Sequence, residues 1–324
     1  MPTRLSTLSR GRDNHLNLLR VIAASMVLVS HSFVLVSGHP ASEPWHDLIG
    51  RSPGGVAVDI FFIISGFLVT GSLQRQGAIS GYLAARALRI YPGLWVALLL
   101  TVLAVGLMGL SKLSTPAFFA DGQTWRYLAI NAVMLAGGEG LLPGAFLGNP
   151  LPGAVNGSLW TLRYELRLYL LLALVWWGVG RLARQWPGWR IESVLTGLAS
   201  LFTLLAVGMM WTPWSSDLVR MAGMFFAGAT LWAWRQQIRL RGEVVLASGA
   251  AMTVALALSP QLFELAYRLG LPYGVMWLAY RCGGGGGLAG CASTTGWVTT
   301  LMASTSMPSR CNRPWWPGST AGAC

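Results

Sequence analysis

Long uninterrupted apolar runs, separated by short stretches rich in arginine, proline and glycine, set the pattern of this chain. The first run, LNLLRVIAASMVLVSHSFVLVSG at 16–38, is long enough to cross a bilayer as a helix. The second is GVAVDIFFIISGFLVTGSL at 55–73. Six more cover 94–110, 158–180, 191–210, 218–234, 244–259 and 263–280. The runs are continuous, not alternating, which rejects a β-barrel. In lipid only helices or closed barrels satisfy the backbone. The pattern therefore predicts an all-α, polytopic transmembrane helical bundle of about eight spans. No long internal repeat is visible.

Charge decides the segments that length leaves open. Arg75, Arg86 and Arg89 follow the second run, Arg181, Arg184 and Arg190 follow 158–180, and Arg235, Arg239 and Arg241 follow 218–234. Loops rich in arginine stay in the cytoplasm. The stretch 39–53 carries Glu43, Asp47 and a single cation, Arg51, and suits the outer side. The apolar middle of 111–157, WRYLAINAVMLAGG, would invert every later loop if it spanned. It is expected to be non-spanning or re-entrant. Pro92 in RIYPGLW marks the expected start of the third span. The N-terminus is basic and precedes an apolar run, but the run is too long and contains Arg20, so an uncleaved first helix is expected.

Composition agrees: 54% of the 324 residues are hydrophobic and only 10% are charged, which excludes an ordinary soluble domain and disorder. A net charge of +12 would suggest nucleic acid in a soluble protein. Here the arginines flank apolar runs, so loop charge and anionic headgroups account for them and no nucleic-acid partner is expected. Lys112 is the only lysine, an arginine bias usual in GC-rich bacterial genomes.

Candidate chemistry lies inside the runs, where ionisable groups are costly and mark function or helix packing. Arg20 and His31 return to nearly one helix face, roughly 16 Å apart along the axis. Arg20 reads as a functional cation or a snorkelling anchor. His31 reads as a functional group or a satisfied interior one. Asp59, Gly66 and Thr70 share a face of the second span, and Asp59 needs a partner, with Arg20, Arg86 or Arg89 as candidates. Arg86 and Arg89 are three apart and suit bidentate binding of phosphate or carboxylate, or simply mark the cytoplasmic side. In the fourth span Ser158, Thr161 and Glu165 fall on one face and Arg163 and Arg167 on another. Such a stripe lines a cavity or holds an ion pair that fixes packing.

The tail changes character. All four cysteines lie at or beyond Cys282, and 282–324 contains no Asp, Glu, Ile, Phe or Tyr. As protein it reads as low-complexity sequence, and its cysteine spacing fits no metal pattern. Back-translating WVTTLMASTSMPSRCN at 297–312 and starting each codon one base earlier permits L-G-D-Y-S-Y-G-I-Y-I-Y-A-F-P-V-Q. That is an apolar, aromatic membrane segment. A one-base slip near the glycine run is therefore expected to have replaced the end. The organisation read from the sequence is a cytoplasmic segment at 1–15, a membrane core at 16–281, and a non-native tail at 282–324.

LNLLRVIAASMVLVSH, GGVAVDIFFIISGFLVTGSL, RALRIYP and GSLWTLRYELRLYLLL occur in that order. Together they resemble the membrane-bound acyltransferase type 3 family, the O-acetyltransferases of bacterial surface glycans. The resemblance covers about 16–280, and the shifted-frame D-Y-S-Y-G-I-Y resembles the family's late helix. It implies a core of about ten helices in the bacterial inner membrane, with the N-terminus in the cytoplasm. It implies acyl transfer, usually acetyl, from cytoplasmic acyl-CoA (acetyl-CoA by default, with no metal) to a hydroxyl of a surface glycan or lipid-linked sugar. Carried onto this chain, His31 would be the general base or first acyl acceptor, in keeping with its imidazole chemistry. Arg86 and Arg89 would hold donor phosphates. Arg20 would help bind the donor or orient Asp59. Glu165 and Ser158 would position the acceptor or polarise His31. Asp59, Ser158 and Trp160 would line the substrate site. A transporter or flippase, with the buried charges as a relay, is the rival reading, and a structural membrane subunit is another.

Overall fold

Each apolar run becomes a helix whose ends are set by local stops. The computed structural model describes residues 4–9, 14–135, 137–138, 140–153 and 155–281. Among them are twelve α-helices. In order they are α1 (Leu5–Leu8), α2 (Leu16–Ser37), α3 (His46–Ile49), α4 (Pro53–Gln76), α5 (Ile79–Leu107) and α6 (Thr115–Ala120). Then come α7 (Gly122–Val133), α8 (Leu162–Gln185), α9 (Ile191–Gly208), α10 (Asp217–Ala233), α11 (Gly242–Leu258) and α12 (Pro260–Arg281). The tail and its frame-shift expectation lie outside the described residues.

Helices stand at all eight expected spans. Those of the first five spans are long and apolar enough to cross a membrane by length and composition. Helices α10 and α11, at 17 residues each, and α12, which carries Glu264 and Arg268, complete the bundle. The chain is a multi-pass membrane protein. Leu28, Val36, Leu174, Leu204, Leu246 and Leu258 point outward, as lipid-facing positions do.

Helix α4 is the spine. Ser52 caps it by accepting from the Gly55 amide at 3.1 Å, Pro53 occupies its first turn, and Gly77 at φ 68° ends it. It packs closely on α2 and α10. Phe62, Ile63, Ile64 and Phe67 of α4 share one buried core with Ala222, Phe225, Phe226 and Ala229 of α10. The approach is set by glycine. A Cβ on Gly66 would lie 1.9 Å from the Phe225 carbonyl oxygen, and one on Gly228 2.1 Å from that of Ile63. Small residues that let backbones meet drive helix association in lipid.

Two boundaries differ from the sequence reading. Pro92 does not begin a span, because α5 runs through it from Ile79 to Leu107, so Arg86 and Arg89 sit on the helix itself. One missing amide is tolerated where neighbouring helices support the backbone. The fourth span starts with a 3₁₀ turn, Gly157–Thr161, before α8. Its three-residue period moves Ser158, which is exposed, off the α-helical face of Glu165.

Among the described residues the middle segment holds no helix long enough to cross a membrane. Helix α7 has 12 residues, about 18 Å, short of a bilayer core. It runs back along α5: the Thr115 hydroxyl donates to Gly106 O near the end of α5, whereas Tyr91 OH and Trp95 Nε1 donate to Val133 O and Ala132 O at the end of α7. The chain then climbs back, with Lys112 N donating to Gly144 O at 3.0 Å. Asn156 ties it down by donating to Thr101 and Tyr127, each at 2.9 Å. This hairpin has its own core around Leu98, Val102, Phe118 and Tyr127. The N-terminal segment is docked too: Leu5 is fully buried and its amide donates to Ile238 O at 2.9 Å.

Candidate active site

The polar side chains of the bundle fall at successive depths along α4. At its first turn the Gly54 amide donates to Ser30 Oγ at 3.0 Å, and Ser30 donates to the Glu43 carboxylate. His31, half-buried, follows Ser30 and so stands beside the start of α4, near one end of the bundle. Among the described residues it has no hydrogen-bond partner.

About one and a half turns further in lies a buried ion network. Arg51 Nη1 donates to Asp59 Oδ2 at 2.8 Å, and Arg51 Nη2 and Nε donate to Glu264 at 2.5 and 3.1 Å. Arg268 Nε reaches Glu264 at 2.6 Å, and Tyr267 OH donates to Asp59 at 2.8 Å under the Arg51 guanidinium. Burial works against the Arg51 charge. The carboxylates of Asp59 and Glu264 outweigh it and hold the guanidinium protonated beyond its ordinary range. The partner of Asp59 is thus Arg51, not Arg20, Arg86 or Arg89. The network is complete in itself save for Arg268 Nη2, which is buried without a partner.

Deeper still, Ser65 Oγ donates to Glu165 Oε1 at 3.2 Å, Tyr169 OH donates to the same oxygen, and the two hydroxyls lie 2.8 Å apart. Tyr82 OH donates to Tyr169 O at 3.3 Å. From Gly54 to Ser65 is about 16 Å along α4. Glu165 is therefore remote from His31 and does not polarise it directly. Arg163 and Arg167 do not pair with Glu165 either: they lie over the Tyr164 ring, 4.7 and 5.9 Å from its centre. Ser158 is exposed, and Trp160 stands edge-on to Tyr164 with ring centroids 6.0 Å apart. The structure brings neither to His31 or to Glu165 by a hydrogen bond.

Arginines gather at this depth and beyond. Arg20, ten residues before Ser30 on antiparallel α2, stands opposite Ser65 and within electrostatic reach of Arg89, Tyr169, Glu165 and Arg86. Arg86 donates to Ser72 at 3.3 Å, and Arg75 lies 5.7 Å from the Trp232 ring. Among the described residues none of Arg20, Arg75, Arg86 and Arg89 makes an ion pair, and the buried Arg86 Nε has no acceptor. Arg75 and Arg89 are exposed and Arg20 and Arg86 half-buried; four guanidiniums with no carboxylate within 4 Å among the described residues, one with an orphaned buried donor, fit a polyanionic ligand such as a nucleotide bearing phosphates. No group of three or more His, Cys, Asp or Glu able to hold a metal occurs among the described residues.

Comparison with known proteins decides the family. A profile described as an acyltransferase domain, the third acyltransferase type, matches residues 13–307. The chain belongs to the acyltransferase 3 family. Two curated relatives of this acyltransferase 3 chain are similar over part of their length. One, "Nodulation protein 10" of Rhizobium leguminosarum bv. viciae, is 33% identical over 199 residues, 60% of this chain and 50% of the relative. The other, "O-acetyl transferase" of Shigella phage Sf6, is 37% identical over 162 residues, 49% of this chain and 45% of the relative. The chain thus spans about half the length of the curated relatives it matches. No solved structure matches it.

Proposed function

We propose that this chain is an integral membrane O-acyltransferase. It moves an acyl group, acetyl by analogy with the O-acetyl transferase it resembles, from cytoplasmic acyl-CoA to a hydroxyl of a cell-surface carbohydrate or lipid-linked sugar. The observation that carries this reading is the set of guanidiniums at one end of the bundle without ion pairs among the described residues, one of which, Arg20, shares α2 with an imidazole nearer the other end. The arginine-rich end faces the cytoplasm of a bacterial inner membrane, with the N-terminus on that side.

Arg86 and Arg89, with Arg20 deeper in, hold the donor phosphates through charge-assisted hydrogen bonds. His31, near the opposite end, takes the proton of the acceptor hydroxyl as that oxygen bonds the acyl carbon and the carbon–sulfur bond breaks. The departing thiolate then takes that proton back from the His31 imidazolium, which restores the neutral base. The Arg51–Asp59–Glu264–Arg268 network binds α4 and α12 beside this site. It is charge-balanced and takes no part in proton transfer.

Acetylation of the glycan in cells expressing His31→Ala tests the reading. Loss of glycan acetylation, with the full-length protein still inserted, is expected; unchanged acetylation refutes it. The double change Arg86→Ala with Arg89→Ala raises the KM for acyl-CoA. Absence of any acyl-CoA turnover by the purified chain with its acceptor would favour the transporter reading.

A further inference from the structure

Glu165 has no task in the chemistry above. It stands about 16 Å along α4 from the level of His31, so the two side chains do not act on one reacting atom. On its other side Ser72, where Arg86 hydrogen-bonds, lies about 10 Å further along the same helix. A ligand that engages Arg86 at one end and His31 at the other spans the level of Glu165.

The carboxylate is built for binding. Tyr169 OH and Ser65 Oγ both donate to Oε1. That fixes the side chain and leaves Oε2 with no protein donor among the described residues. Arg20 lies within electrostatic reach of the carboxylate without forming an ion pair with it. Glu165 is half-buried and Oε2 is not sealed off, so this oxygen is open to a donor on a passing ligand. It is an acceptor only, and negative, so it repels phosphate and selects an N–H or O–H donor. The pantetheine arm of an acyl-CoA carries two secondary amides between its phosphate and its sulfur.

We propose that Glu165, held in place by Tyr169 and Ser65, accepts a hydrogen bond from an amide N–H of the donor's pantetheine arm, and so guides the thioester from the arginines toward His31. This rests on the acyl-CoA reading above. Glu165 is then a donor-binding residue, not a base, and Tyr169 and Ser65 are positioning residues.

The test compares two ligands on the purified full-length protein: CoA, and 3′-phosphoadenosine 5′-diphosphate, which carries the phosphates without the arm. Tyr169→Phe and Glu165→Gln are each expected to weaken CoA binding about tenfold, the scale of one hydrogen bond to a charged group, and to leave the nucleotide's affinity as in the unchanged protein. With acetyl-CoA as donor, KM rises by a similar factor while kcat holds. Retained nucleotide binding also shows that each variant is folded. A fall in kcat at unchanged KM would make Glu165 part of the chemical step and overturn the proposal. So would unchanged CoA binding in both variants, or equal loss of both ligands in a variant that unfolds at the original temperature. Failure of the unchanged protein to bind either ligand would instead overturn the acyl-CoA reading itself.

Discussion

Gly66→Ala is a sharp probe of the α4–α10 crossing. The new Cβ would sit 1.9 Å from the Phe225 carbonyl oxygen and 2.8 Å from its carbon. Both are backbone atoms on a helix, so no rotamer change clears them. The helices must separate by about 1 Å, and a gap of that size forfeits roughly a quarter to a half of each contact's dispersion energy. Overpacking usually costs about 1–3 kcal/mol, and a collision between two backbones belongs at or above the upper end. Thermal unfolding of the purified protein in detergent, followed by tryptophan fluorescence, is then expected to shift down by about 6–12 °C. Gly93→Ala on α5 is the control. Nothing lies within 4 Å of its Cβ position, and the change relieves the cost of glycine in a helix, about 0.5–1 kcal/mol. Gly71→Ala, which meets the Trp232 ring at 2.8 Å, falls between them. Equal midpoints for Gly66→Ala and Gly93→Ala would refute the close crossing.

Arg51→Met leaves Asp59 and Glu264 buried without their shared cation and is expected to cost about 3–5 kcal/mol, read in the same unfolding assay; a loss under 1 kcal/mol would show the loop arginine to be unpaired. Genomic resequencing across the codons for residues 281–291 is expected to reveal a missing or extra base. A confirmed printed frame would sink that idea.

Much of the bundle was legible because length and charge are read directly from sequence. Apolar runs bounded by Arg75, Arg181 and Arg235 became helices close to their expected limits, and the apolar middle of 111–157, which the parity of the charged loops set apart from the spans, holds only short helices among the described residues. Contacts between distant elements were not legible. Arg51 read as a lone loop cation because its second partner, Glu264, lies 213 residues away. A signal existed: Glu264, Tyr267 and Arg268 share one face inside an apolar run, which is rarely accidental. Tyr169 was missed although it follows Glu165 by four residues, the spacing at which helix neighbours meet. The Ser158 stripe misled because a 3.6-residue period was applied across a 3₁₀ turn.

The ion network also bears on how the chain enters the membrane. Arg51 and Asp59 belong to one short stretch made early in synthesis, and Glu264 and Arg268 are four apart on a helix made late. Each half is electrically neutral by itself. Asp59 can leave the translocation channel already matched to a cation from its own stretch, long before α12 exists. The bonds from Arg51 to Glu264 then form only when α12 docks on α4, joining two neutral pairs instead of stranding two opposite charges in lipid.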